Sequence, residues 1–448
     1  MKTLRSGITM ITNSIVSNNW GLLQVPFIKE RNESRFSLKA NSLRAFPVDE
    51  VRKDFPILSE KIKGKQLIWF DNAATTQKPA CVLDRIDYFY RHENSNVHRG
   101  AHTLAARATD AFEAARESAC RFLHAASPKE IIFVRGTTEA INLIARTYGK
   151  QNIEEGDEIL ISHLEHHANI VPWQLLCEEK GANLKVIPVD DTGQVDLMEY
   201  GKLLSEKTKF VALAHVSNAL GTVLPILEMT RLAHGVGAKV FIDGAQAVSH
   251  LGVDVTELDS DFYAFSGHKI CGPTGIGVLY VKWDILKDLP PYQGGGNMIS
   301  DVTFEKTRYQ DPPARFEAGT GNIADAVGLG AALDYVSGIG LDQIFSYEHA
   351  LMDYAMEAMR LIPGLSLIGT AEQKTAILSF VLKGIPNGEA GKALNAEAIA
   401  VRTGHHCAQP ILRRFGLEST VRPSLAFYNT TDEIDRMVHA LRRQILLA

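Results

Sequence analysis

The sequence predicts an α/β protein: a large, mostly parallel sheet covered by helices, then a smaller C-terminal α+β part. Three observations predict it. Short β-branched and aromatic runs alternate with helix-spaced stretches over about 200 residues. The pattern changes after Gly340. The 448 residues also exceed what one ordinary core holds, which implies more than one domain.

The elements follow in order. Residues 103–124 repeat apolar positions at helical spacing. IIFVR (131–135) reads as a buried strand, and G-T-T-E (136–139) opens a helix. DEILIS (157–162), LKVIPV (184–189), FVALAH (210–215), KVFID (239–243), DFYAFS (261–266) and GVLYV (277–281) read as strands, with helical stretches between the first five. A long helix is expected near 342–361. Strands are expected at TAILSFVL (375–382), IAVRTG (399–404) and SLAFYN (424–429), and a final helix from about residue 431. The expected division is a basic, disordered extension over 1–46, a large domain over 47–335 and a small domain over 336–448. Residues 47–80 are expected to pack on the small domain.

Hydrophobic residues make up 45% and charged residues 22%, the balance of a soluble globular chain, which excludes a disordered or fibrous class. No apolar run is long enough for a membrane span, and a net charge of −5 favours neither nucleic acid nor an anionic membrane as partner. Residues 1–46 stand apart, with seven Lys/Arg, two acids and a net +5. A basic, hydroxylated, acid-poor leader resembles an organellar transit peptide. A disordered docking tail is the preferred reading. The five cysteines are widely spaced and none forms C-x-x-C, so neither a disulfide framework nor structural zinc is expected. The default setting is reducing and cytoplasmic; an organelle or a protein compartment are the alternatives.

Two glycine-rich stretches mislead. GPTGIG (272–277) lacks the order of a dinucleotide loop and leads into a strand, and GEAGK (388–392) is too short for a phosphate loop. The chemistry lies elsewhere. Lys269 in SGHK follows a strand, at the sheet end where open α/β folds bind ligands. Asp243 ends KVFID, and Thr137 and Thr138 stand at a helix N-terminus suited to a phosphate. A lysine, an aspartate and a phosphate cradle on strand ends meet the needs of pyridoxal phosphate (PLP). The lysine forms the Schiff base, the aspartate keeps the ring nitrogen protonated, and the helix end holds the phosphate.

D-N-A-A-T (71–75), SNVHRG (95–100), EHHAN (165–169), HVSN-x-x-GT (215–222), DGAQA (243–247), SGHK (266–269), GPTGIG (272–277), RFEAGT (315–320) and RTGHHCA (402–408) occur in this order. The set resembles the cysteine desulfurases of the class-V aminotransferase family, and within them the SufS/CsdA group, from about residue 47 to the C-terminus. The resemblance implies a PLP-dependent fold of type I, a homodimer, and conversion of L-cysteine to L-alanine with sulfur held as a persulfide. By motif, Lys269 is the Schiff-base lysine and Asp243 the ring-nitrogen partner, with Gln246 near the phenolic oxygen. Thr137, Thr138, Ser266 and His268 bind the phosphate, with Thr320 from the other subunit. His166 stacks on the ring and assists proton transfer. Asn218 and Arg422 hold the substrate carboxylate. Arg402 and His98 join the substrate site, and Cys407 accepts the sulfur. Cys271 stands where the group has an aromatic, and is read as a bystander. Gly321 replaces an expected proline.

The chain runs from Cys407 directly into PILRRFG, so the cysteine loop is short. A short loop implies a sheltered persulfide and a SufE-like or SufU-like acceptor that reaches in, supplying iron–sulfur clusters or other sulfur carriers. A selenocysteine lyase uses the same scaffold and remains an alternative, as does a cargo or scaffold protein docked through residues 1–46. The histidine pairs 166/167 and 405/406 are not expected to bind metal: adjacent histidines diverge in regular structure and no carboxylate completes a triad.

Overall fold

The computed structural model describes residues 43, 45–98 and 100–447. Residues 1–42 and 44 lie outside this range, and with them most of the expected extension. The largest sheet among the described residues has seven strands. Strand β1 (Ile68–Trp69) lies outside that sheet. The seven are β2 (Ile131–Val134), β3 (Glu158–Ser162), β4 (Asn183–Ile187), β5 (Thr208–Ala214), β6 (Lys239–Asp243), β7 (Phe262–Ser266) and β8 (Gly277–Val281). Their order is β2-β8-β7-β6-β5-β3-β4. The five strands from β7 to β4 run parallel, while β8 is antiparallel to both its neighbours. The connection from Ser266 to Gly277 is too short for a helical crossover, so β8 can only return antiparallel.

Alternate residues feed two cores. Leu160, Val211, Leu213, Val240 and Ile242 face one side, and Ile159, Ile161, Phe210, Ala212 and Phe241 the other. Both faces are therefore dry, which is why these strands read as continuous apolar runs. Helix α1 (Thr103–Phe122) covers one face, and α2 (Thr137–Ile144) opens directly after β2. The stretch between β6 and β7 was expected to be helical; residues 245–250 instead form consecutive turns.

Helix α3 (Ile323–Ile339) has no counterpart in the sequence reading. Apart from Asp325, Asp334 and a few small residues near its end it is apolar nearly all round, so no clear stripe marks it. It packs on α1 so closely that a Cβ at Gly330 would lie 2.9 Å from Ala115 Cα. Helix α4 (Leu341–Arg360) follows at once.

The C-terminal sheet contains β9 (Leu365–Ile368), β10 (Ser379–Leu382), β12 (Arg402–Gly404) and β13 (Thr420–Arg422), in the order β9-β10-β13-β12. Residues 399–404 do not form one strand. β11 (Ile399–Ala400) pairs in parallel with β1, while β12 pairs with β13. The expected strand at 424–429 shrinks to a bridge at Ser424 and a turn at 427–428. Pro423 has no N–H to give a ladder, and Asn429 Oδ1 accepts the Ala426 N–H (2.8 Å), closing the chain on itself. The last helix, α5 (Thr431–Leu447), begins where expected. No helix among the described residues is long and apolar enough to cross a membrane.

Candidate active site

The C-terminal ends of β3, β5, β6 and β7 converge on a cavity of about 240 Å³. It is lined by Thr137, Thr138, His166, Asn218, Asp243, Gln246, Ser266, His268, Lys269, Arg402, Cys407 and Arg422. The structure thus brings together twelve of the fourteen predicted site residues. Thr320 and His98 are absent from it. Both line a separate cavity of about 660 Å³ beside Glu317 and Gly296. There His98 Nε2 lies 2.9 Å from Glu113 Oε1.

Lys269 stands in the single turn after β7. Burial, with Arg422 and Arg402 beside it, lowers its pKa to about 8, and Asp243 only partly offsets this. Asp243 is buried at the end of β6, where burial raises its pKa against the Ala245 N–H that Oδ1 accepts (2.9 Å). His166 is pressed down to about 3 by burial and by Lys269, so its ring stays neutral. Its Nδ1 accepts the Ala168 N–H (3.1 Å), which leaves the ring proton on Nε2.

The floor of the phosphate end is built by local sterics. Gly136 precedes α2 with φ 150°, and a Cβ there would meet Ser266 Oγ at 3.0 Å. The Thr137 N–H donates to that same oxygen (3.0 Å). Only glycine lets β2 pass into the helix while β7 delivers Ser266 this close. Burial lowers the His268 pKa to about 4, with Lys269 and Lys78 adding to it.

The opposite wall is cationic. Arg422 on β13 is 2% exposed. Its Nη1 donates to Asn218 O (2.8 Å) and its Nη2 to Asp71 Oδ1 (3.3 Å), yet Nε is buried without a partner. Asn218 Oδ1 is likewise unpartnered, while its Nδ2 donates to His406 O (2.6 Å). An orphaned guanidinium N–H deep in a cavity marks a place for an anion.

Cys407 sits half-buried on a loop of left-handed backbone, with φ 54° at His406 and 53° at Cys407. Non-glycine residues hold such angles only when their surroundings enforce them. Here Cys407 O accepts the His167 N–H (2.8 Å), the Cys407 N–H donates to His405 Nδ1 (3.0 Å), and His406 Nε2 meets Thr420 Oγ1 (2.8 Å).

Sequence reasoning missed the residues that hold these groups in place. Glu165 is wholly buried, and burial raises its pKa to about 7. It accepts the Ala214 N–H (2.9 Å) and the Asn169 Nδ2–H (2.6 Å), fixing the turn that carries His166. Asp71 aims Arg422. Both lie in motifs that were legible, EHHAN and D-N-A-A-T, but a motif does not tell an anchor from a reactant.

Residues 68–437 match the family model Aminotransferase class-V. A protein of Synechococcus elongatus named cysteine desulfurase is 65% identical over 398 residues, covering 89% of this chain and 64% of that protein. This chain therefore spans just under two thirds of that relative. A cysteine desulfurase of Dickeya dadantii is 51% identical over 399 residues, 97% of its length. Among solved structures, the cysteine desulfurase CsdA from Escherichia coli superposes with a TM-score of 0.84 at 37% identity, covering 90% of this chain and 99% of that one.

Proposed function

From the premise that this chain belongs to the class-V aminotransferase family, beside proteins named cysteine desulfurase, we propose that it is a PLP-dependent enzyme acting on L-cysteine. The products are L-alanine and a persulfide on Cys407. The substrate loses its sulfur, its Cβ gains a hydrogen, and the Cys407 thiol becomes S–SH. The observation that carries the reading is one cavity holding Lys269, a partnerless Arg422 Nε and Cys407.

Lys269 would hold the cofactor through Nζ, and Asp243 would face its ring nitrogen. Gln246 would lie near its phenolic oxygen, and His166 would pack on the ring. Thr137, Thr138, Ser266 and His268 would bind the phosphate. The Gly136 approach and the donor set of hydroxyls and helix N–H groups fit that group. Bound PLP supplies the electron sink that makes the substrate Cα–H acidic and its Cβ–S bond breakable. Lys269 Nζ, with a pKa near 8, is poised to move the Cα proton near neutrality. His166 can lend the Nε2 proton and recover it. Arg422, with Arg402 and Asn218, would hold the carboxylate. The Cys407 thiolate is the nucleophile toward sulfur.

His98 and Thr320 lie apart from Lys269 in one chain, which supports a homodimer in which each copy completes the other's site. The pinned, half-buried loop of Cys407 supports a sheltered persulfide and a protein acceptor of the SufE or SufU kind. Five free thiols support a reducing, cytoplasmic setting. The test is the yield of alanine and sulfide from L-cysteine with a reductant, with Cys407→Ala in parallel. The parent should form both. The variant should form neither while keeping its cofactor absorbance. Alanine at the parent rate from the variant would sink the proposal.

A further inference from the structure

We infer that His167, His405 and Cys407 form a site for a soft divalent cation, zinc by class, whose occupancy caps the reactive thiol. One nitrogen from each ring and Cys407 Sγ all lie within 4.8 Å of one another. The two rings stack at 30° with centroids 5.6 Å apart. Zinc bonds of ~2.0–2.1 Å to nitrogen and ~2.3 Å to sulfur put tetrahedral ligand atoms about 3.3–3.6 Å apart. The ligand atoms, now up to 4.8 Å apart, would have to draw together by roughly 1 Å on binding. The fold joins one histidine of each sequence pair. Expecting no metal because neighbours within a pair diverge overlooked this pairing between loops.

The surroundings set what kind of site it is. His405 is exposed and the other two are half-buried, so a hydrated ion can enter and a fourth position stays open to water. The present hydrogen bonds compete with the metal. His405 Nδ1 accepts the Cys407 N–H (3.0 Å) and His167 Nε2 the Gln409 N–H (3.3 Å). Occupancy at those nitrogens replaces these bonds, and Arg402 and Arg422 nearby repel a dication. The site is therefore reversible, unlike a structural zinc centre.

On binding, the Cys407 thiol gives its proton to solvent, a sulfur–zinc bond forms and the ion loses water. Nothing is oxidised. A sulfur lone pair engaged by zinc cannot attack substrate, so occupancy silences the enzyme until the metal is withdrawn. That inhibition rests on the reaction proposed above; the binding does not.

The experiment titrates the full-length, cofactor-loaded protein with Zn²⁺ against a chromophoric chelator, without substrate. Co²⁺ serves as a spectroscopic probe of thiolate ligation. Cys81→Ser is the background, because Cys81 is the exposed free thiol. The expected result is one ion per chain with a Kd of about 10 μM or tighter, and a thiolate-to-cobalt band. Cys407→Ala, His405→Ala and His167→Ala should each weaken binding at least tenfold, with melting temperature and cofactor absorbance retained. Where a histidine variant unfolds, His→Gln at the same position replaces it. No stoichiometric binding, no thiolate band, or binding indifferent to both histidines would overturn the site. Each of these outcomes is independent of whether the protein desulfurates cysteine.

Discussion

Lys269 and Arg422 are two cations lining one cavity, and their surroundings fix their tasks. The amine of Lys269 must be neutral to condense with an aldehyde. Its pKa falls from 10.5 to about 8, so the neutral fraction grows as pH rises through about 8 and then levels off. The rate of PLP uptake by the cofactor-free protein should follow that curve; a flat rate between about pH 7 and 9 would contradict it. Arg422 presents a planar fork whose Nε is free. Arg422→Lys keeps the charge and loses the fork, so KM for L-cysteine should rise about 10–100-fold with cofactor absorbance intact. Unchanged KM would remove Arg422 from the substrate. At this scale the sequence was most legible where a residue type is chemically rare at its position. Lys269 and Asp243 at strand ends, and Cys407 within RTGHHCA, are such cases. It was silent on Asp71 and Glu165. Their function is geometric, and it depends on partners 351 and 49 residues away in the chain.

Among the elements, α1 does more than cover the sheet. Its Arg116 is buried, donates twice to Glu317 (2.7 and 2.9 Å), bonds Glu113 (2.9 Å) and stacks on Phe133. Glu317 also accepts the Phe133 N–H (2.9 Å), so this cluster ties the Thr320 loop to β2. Glu113 is held to about 2: burial alone would raise it, but His98 and Arg116 outweigh that. Removing the cation strands a buried carboxylate. Arg116→Met should therefore cost about 3–5 kcal/mol in denaturant unfolding. A change below about 1 kcal/mol would mean that water reaches Glu317 freely. Strands with dry faces announced themselves through β-branched runs. Helix α3 did not, because burial around most of its circumference, with exposure confined to a few positions near its C-terminal end, leaves little of the period that marks a surface helix. The stretch 424–429 carries strand-like residues, yet side-chain bonds from Asn429 outcompete the ladder.

For the whole molecule, the proposed homodimer would bring Thr320 and His98 of one copy to Lys269 of the other. Co-expressed Lys269→Ala and Thr320→Ala chains discriminate. If Thr320 acts across the interface, each mixed dimer regains one intact site with parent cofactor affinity. If it acts within its own chain, none does. A shared site would account for both predicted residues that fall outside the cavity: Thr320, which the resemblance assigns to the other subunit, and His98, for which the sequence reading named no subunit. The reaction itself is tested most directly by mass spectrometry of the protein after brief exposure to L-cysteine without reductant. The peptide carrying Cys407 should gain the mass of one sulfur atom, with alanine released in equal amount. Alanine formed while the added sulfur lies on Cys81 or Cys271, or on no cysteine at all, would contradict the role given to Cys407.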